Sequence, residues 1–197
     1  VEKICDMLSE LKLEVEFIAK VRPDSMAKYP DIVRKMISVG IDSYEMGIES
    51  PDSKDLEFTS KGIKAEIHMT AAQNIKKWGG SPGGTFVIGL PDHTEEEILT
   101  FPAYAKKIGL LSSAYGIVTP YPGTKFYEQM DSQGLIFETS WNRFDEMHSV
   151  FKTKHLTSER LEELASICMA KFWSPDTFIA KERVRQIRRS GKMYLPK

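Results

Sequence analysis

The sequence predicts an α/β fold built on parallel strands, and three observations carry that prediction. Apolar segments of period two alternate along the chain with segments of helical period. The links between successive strands are too long for hairpins, so the strands run parallel through right-handed crossovers. Polar and glycine-rich residues gather just past the carboxyl end of each strand, where parallel folds place their ligands.

The elements follow in order. The chain opens inside a helical pattern, with Ile4, Met7, Leu8 and Leu11 at helical spacing and no capping residue ahead of them; we expect a fragment of a longer protein. VEFIAKVR (residues 15–22) then places Val15, Phe17, Ala19 and Val21 on one face of a strand. YPDIVRKMISVG is a helix, with Pro30 in its first turn and Gly40 at a left-handed exit. IDSYEMGIES (41–50) is the second strand, and IKAEIHMTAAQNIKKWGG the helix after it, closed by Gly79 and Gly80. GTFVIGLP (84–91) is the third strand. Its helix opens with Thr94 three residues before Glu97, the spacing of a capping box, and Pro102 should kink or divide it. AYGIVTP (114–120) is the fourth strand and leads into the rigid turn YPGT. About four such strands suit either an open sheet or an arc of a (β/α) barrel. Beyond Met130 the periodicity lapses into a wrapping segment. Thr157 or Ser158 then caps a helix whose Leu161, Leu164, Ala165, Cys168 and Phe172 form one apolar stripe. A last helix is expected after Pro175. The division expected is a strand-and-helix region over 1–130 and a C-terminal extension over 131–197.

Composition removes several classes. At 197 residues with 41% hydrophobic and 28% charged content, the chain can bury a substantial core. A formal net charge of −1 argues against a broad nucleic-acid surface, and no apolar run approaches a membrane span. The only cysteines, Cys5 and Cys168, make no disulfide framework and no metal-site spacing, which fits a reducing, cytoplasmic setting. The histidines, His68, His93, His148 and His155, share no ligand spacing and read as structural, His68 on a helix surface. Lys181 to Lys197 holds seven basic residues against Glu182 alone, a solvated face or a dock for an acidic partner.

Chemistry concentrates at the strand ends. Glu45, Gly47 and Glu49 alternate with apolar Tyr44, Met46 and Ile48, although a parallel strand covered on both faces should be apolar throughout. Those carboxylates therefore meet either a ligand-lined cavity or a basic neighbour such as Lys20 or Arg22. Gly89 either admits a ligand to the backbone or bends the strand, and the Pro-flanked Tyr121 is a rigid turn that can also serve as a stacking platform.

Together VRPD, YEMGIES, GTFVIGLPDHTEEE and IVTPYPGTKFYEQ resemble the second half of a radical S-adenosylmethionine (SAM) enzyme. The likeness is to the class that carries a cobalamin-binding domain, typified by the anaerobic magnesium-protoporphyrin IX monomethyl ester oxidative cyclases. The resemblance implies a partial (β/α) barrel with a C-terminal helical extension, the chain supplying the last four of six strands. It further implies that Glu49 and Ser50, with Glu45 on the same strand, line the SAM site, that Ile88 and Gly89 lie against the adenine, and that Thr119 and Tyr121 approach adenine or substrate. Arg22 would face cofactor or substrate from the strand before. The parent would use SAM and a [4Fe-4S] cluster, with cobalamin where the class's cobalamin-binding domain is present, on a hydrophobic or tetrapyrrole-like small molecule. The family's CxxxCxxC segment is absent from these 197 residues, so this chain alone is expected to be inactive. Its partner would be the missing N-terminal half of the barrel, and its open strand edges would drive dimers or higher oligomers. A nucleotide-binding half-barrel, a partner-docking module and a radical SAM methyltransferase or methylthiotransferase are the alternatives.

Overall fold

A computed structural model describes residues 1–58, except 12 and 14, and residues 65–174. The helix expected after Pro175 and the basic tail lie outside the described residues. The element order is α1 (Glu2–Leu11), β1 (Phe17–Val21), α2 (Pro23–Lys28), α3 (Pro30–Ser38), β2 (Ile41–Glu49), α4 (Ser53–Phe58), α5 (Ala65–Lys77), β3 (Ser81–Ile88), α6 (Glu95–Lys107), β4 (Ser112–Ile117), α7 (Lys125–Ser132) and α8 (Ser158–Trp173). The four strands form one sheet in the order β1-β2-β3-β4, every pair parallel. The fold class expected from the alternating periods is the one observed.

One face of the sheet is covered by helices. Tyr44, Met46, Ile48, Phe86, Ile88 and Ile117 are buried there against residues such as Ala72, Ile75, Ile98 and Phe101. Phe86 stacks on Tyr115 across the strands at 5.3 Å between ring centres and meets Phe101 of α6 at 5.8 Å. Burying each such side chain stabilises the fold by about 1.5–3 kcal/mol. Beyond β4, α7 and the wrapping segment, α8 returns to this layer through Leu161, Leu164, Cys168 and Phe172, all fully buried. A second apolar cluster, Met130, Phe144, Val150 and Phe151, ties α7 to the wrapping segment.

The other face is open, because its side chains are small or polar. One row across it reads Lys20, Glu45, Gly83 and Ser112 in register, and the next Gly47, Thr85 and Ala114. Here the alternation of β2 has a direct cause: its apolar set faces the helices and its polar set faces the open side. Edge backbone is left on both flanks, unequally. β1 pairs with β2 alone, whereas the Ile117 N–H on β4 donates to the Glu146 carbonyl at 2.7 Å.

Several expectations change. α1 forms, but it buries Cys5 and leaves Ile4, Met7 and Leu11 outward. α6 runs unbroken through Pro102, held at its start by the complete Thr94–Glu97 capping box. β3 begins at Ser81, three residues before the apolar run, because Pro82, Gly83 and Gly84 are already in register with β2. His68 is fully buried rather than on a surface, with Nδ1 2.9 Å from the Tyr104 hydroxyl. The short helices α2, α4 and α7 carry no sequence periodicity of their own.

Candidate functional site at the strand ends

The sequence-identified residues lie at or near the carboxyl ends of β1 to β4, apart from Glu45 in the middle of β2, and they fall into three groups. Arg22 and Glu45 are engaged by immediate neighbours. The Arg22 guanidinium holds the Asp24 carboxylate at 3.0 Å, which lowers the Asp24 carboxyl below its usual range. Glu45 lies 3.3 Å from Lys20 on the adjoining strand, one of the two basic neighbours that the alternation allowed beside a ligand-lined cavity.

Glu49, Ser50, Ile88 and Gly89 form the second group, at the ends of the two central strands. Glu49 adopts φ +66, and the Ser50 N–H donates to the Ile48 carbonyl at 2.9 Å, closing a left-handed γ-turn. That conformation is strained for a residue with a β-carbon, and strain of this kind collects at ligand sites. The Ser50 hydroxyl, itself buried, donates to Asp55 Oδ2 at 2.6 Å. The same oxygen lies 2.9 Å from His93 Nε2, and His93 Nδ1 accepts the Gly89 N–H at 3.2 Å. A backbone N–H can only donate, so Nδ1 carries no proton and Nε2 does. Its contact with Asp55 is then a hydrogen bond from Nε2–H to a carboxylate oxygen. Burial alone would raise the Asp55 carboxyl; the bonds from His93 and Ser50 outweigh it and hold the group below the usual carboxylate range. The serine bonds to the aspartate, not to the histidine, so the set has no activated nucleophile. It is a clamp that fixes the ends of β2 and β3 and the start of α4.

Gly89 has φ +79, and a β-carbon there would sit 2.5 Å from Leu161 Cδ2. In this chain α8 fills the space beside the glycine. Ile88 is buried on the helical side, and its carbonyl accepts the Val118 N–H at 2.9 Å.

Thr119 and Tyr121 are the third group. The Thr119 hydroxyl donates to the Ile117 carbonyl at 3.0 Å. Tyr121 to Thr124 forms the expected turn, with Pro122 and then Gly123 at φ +82. The Tyr121 hydroxyl donates to Glu146 Oε1 at 3.1 Å, and burial, then the Glu146 charge, raises the phenol above its ordinary value. Glu146 has φ +64 and lies against Gly116 on the open face.

Asp55 and Glu146 escaped the sequence reading. Asp55 sits on a six-residue helix with no pattern, and Glu146 comes from the wrapping segment across a long loop. His93 carried one usable signal, its place five residues past the end of β3.

The strand ends can now be set beside known proteins. No family model matches the chain. A solved structure titled as coproporphyrinogen III oxidase (HemN) from Escherichia coli, a radical SAM enzyme, superposes with a TM-score of 0.58 at 14% identity, covering 99% of this chain and 38% of that one. The fold is similar to half of a radical SAM barrel. Among curated sequences, an uncharacterized methyltransferase of Pyrococcus horikoshii is 30% identical over 170 residues, 86% of this chain and 37% of the relative. Bacteriochlorophyllide d C-8(2)-methyltransferase of Chlorobaculum tepidum is 28% identical over 164 residues, 82% of this chain and 33% of the relative. The chain thus spans between a third and two fifths of the length of these radical SAM-fold or methyltransferase-named proteins' sequences.

Proposed function

We propose that the chain is the C-terminal part of the barrel of a radical SAM methyltransferase that acts on an apolar ring substrate. The observation that carries this reading is the match of 86% of the chain to a methyltransferase-named relative, over strands whose fold is similar to half of a radical SAM barrel. The names of the relatives favour methyl transfer over the oxidative cyclisation that the motifs suggested, and the bacteriochlorophyllide relative supplies the ring.

The residues present fit one implied group and not another. For SAM, the open face offers the row of small side chains Gly47, Thr85 and Ala114, with the part-exposed Glu49 at the carboxyl end of β2. In this reading that row admits the adenosine, Glu49 accepts hydrogen bonds from the sugar hydroxyls, and Tyr121 with Glu146 closes the far side. SAM, when bound, supplies the methyl group and the radical chemistry. A [4Fe-4S] cluster does not fit these residues. Cys5 and Cys168 are both fully buried on separate helices, and burial pushes the Cys168 thiol up to about 11, away from the thiolate a cluster needs. No group of three metal-ligating side chains occurs among the described residues. We assign the cluster, and cobalamin with it, to the rest of the parent protein, and derive no step through either.

Calorimetric titration of the chain with S-adenosylhomocysteine tests the reading. Binding is expected, and Glu49→Ala should weaken it about tenfold, the loss of one charge-assisted hydrogen bond. Absence of binding, or binding indifferent to Glu49, overturns the SAM assignment. Anaerobic addition of iron and sulfide should give this chain no stable cluster absorbance.

A further inference from the structure

Beside the Ser50–Asp55–His93 clamp lies a cleft of about 520 Å³ that none of the strand-end residues explains. It runs between α4, the loop that joins β3 to α6, the end of α7 and the segment from Lys152 to Lys154. Its size falls within the range of small-molecule sites. Its floor is apolar, made by Leu90 and Met130, both buried, and by Leu135.

The rim carries both signs of charge, but the two signs are not equivalent. Each carboxylate is already satisfied. Asp55 is held by Ser50 and His93, Glu97 by Thr94 in the capping box, Asp92 by Lys154 at 3.5 Å, and Asp52 by the Lys54 backbone N–H at 2.8 Å. The lysines are not matched in the same way. Lys154 has Asp92, whereas Lys54 and Lys152 have no carboxylate within 4.0 Å among the described residues. Both are exposed at the lip, free to swing toward an occupant. An apolar floor with two ammonium groups above it that no carboxylate contacts, Lys54 acting on Asp55 only at longer range, selects an apolar body that carries an anion.

We propose that this cleft holds the carboxylate-bearing arm of the substrate, with the apolar body on Leu90, Met130 and Leu135 and the carboxylate between Lys54 and Lys152. The proposal deepens the reading of an apolar ring substrate and rests on it for the ring. Lysine is suited to the task, since its ammonium is a mobile point charge that can follow an arm of variable length. The clamp gives the cleft its orientation: Asp55 and His93 form its wall and also fix the ends of β2 and β3. A substrate anchored here is thereby held at a set position relative to the ends of the two central strands.

The test is a fluorescence titration of the chain with a water-soluble dicarboxylic porphyrin, its dimethyl ester, and decanoate, at low and at high salt. The dicarboxylic porphyrin should bind, and Lys54→Ala/Lys152→Ala should weaken it about tenfold, as should esterification, the worth of two exposed ion pairs. Lys54→Arg/Lys152→Arg should restore binding, and high salt should weaken the wild type and the arginine pair but not the alanine pair. Circular dichroism should show all variants folded, since both side chains are exposed. If the porphyrin binds but the alanine pair changes nothing, the cleft assignment is overturned while the ring-substrate reading survives. If the porphyrin does not bind but decanoate binds in a lysine-dependent way, the cleft assignment stands and the ring reading fails. Binding of neither ligand overturns the cleft assignment.

Discussion

At Gly89 a single hydrogen stands where any other residue would drive a β-carbon to 2.5 Å from Leu161 in a left-handed backbone conformation. Gly89→Ala should therefore cost about 2–4 kcal/mol, part from overpacking and part from the backbone. Leu161→Ala in the same chain should recover only the packing part. A double-mutant cycle by urea denaturation measures that coupling, and purely additive costs would show that Leu161 is not what excludes a side chain here. The clamp four residues on makes a second prediction. His93→Ala leaves the Asp55 carboxylate with one donor fewer in a mostly buried site, at a cost of about 2–4 kcal/mol at neutral pH. The pH dependence has a definite sign. The Asp55 carboxyl is lower in the folded chain than in the unfolded one, so its contribution is complete above about pH 4, the unfolded value, and is lost as pH falls through the folded value. Asp55→Asn should thus be less stable than wild type at pH 7 and should lose less further stability on acidification below pH 4. Parallel stability curves for the two proteins across that window would refute the role given to the clamp.

Among the elements, α8 shows how apolar packing and exposed charge divide the work. Arg160 reaches Glu95 of α6 through two hydrogen bonds of 2.9 and 2.6 Å, yet both side chains are more than a third exposed. Leu164 is fully buried against the main core. Denaturant unfolding should find Leu164→Ala costing about 2–4 kcal/mol and Arg160→Ala less than about 1 kcal/mol; the reverse order would mean that charge, not apolar area, docks this helix. The same helix was plain in the sequence, because its stripe and its Thr157 cap are local features. So were the capping box of α6 and the alternation of β2, where the solvent-side carboxylate follows from period two and only the structure selects Lys20 over Arg22 as its partner. The start of β3 was hidden for the opposite reason. Pro82, Gly83 and Gly84 spell a turn locally, and only pairing with β2 on one side and β4 on the other makes them a strand. The burial of His68 and the delivery of Glu146 to the open face depend likewise on partners distant in sequence, Tyr104 in one instance and Ile117 with Tyr121 in the other. Half of the candidate site was therefore legible, the half lying on strands; the half supplied by loops was not.

For the whole molecule, the unequal edges of the sheet decide where another chain can add. A parallel sheet of four strands with one open face is an arc, and an arc is completed through its edges. The β4 edge is blunted, since the Glu146 carbonyl already occupies the Ile117 N–H and the segment behind it is braced by Tyr121. The β1 edge is bare of pairing among the described strands, and Ile18 on its open face is 75% exposed. The helix that leads into it turns Ile4, Met7 and Leu11 outward as well. Apolar exposure on this scale beside a free edge marks a surface built to be covered. In the reading proposed above the cover is the N-terminal half of the barrel, and the chain by itself should substitute a second copy. Light scattering should find association that rises with concentration, and Ile18→Lys should suppress it by placing a charge on the β1 side of the sheet. A matching lysine on the β4 side, Ala114→Lys, should leave it nearly unchanged, because that flank is already partly occupied. Equal suppression by both would point instead to ring closure through both edges, and a wild-type chain that stays monomeric at high concentration would show that the β1 side needs no partner.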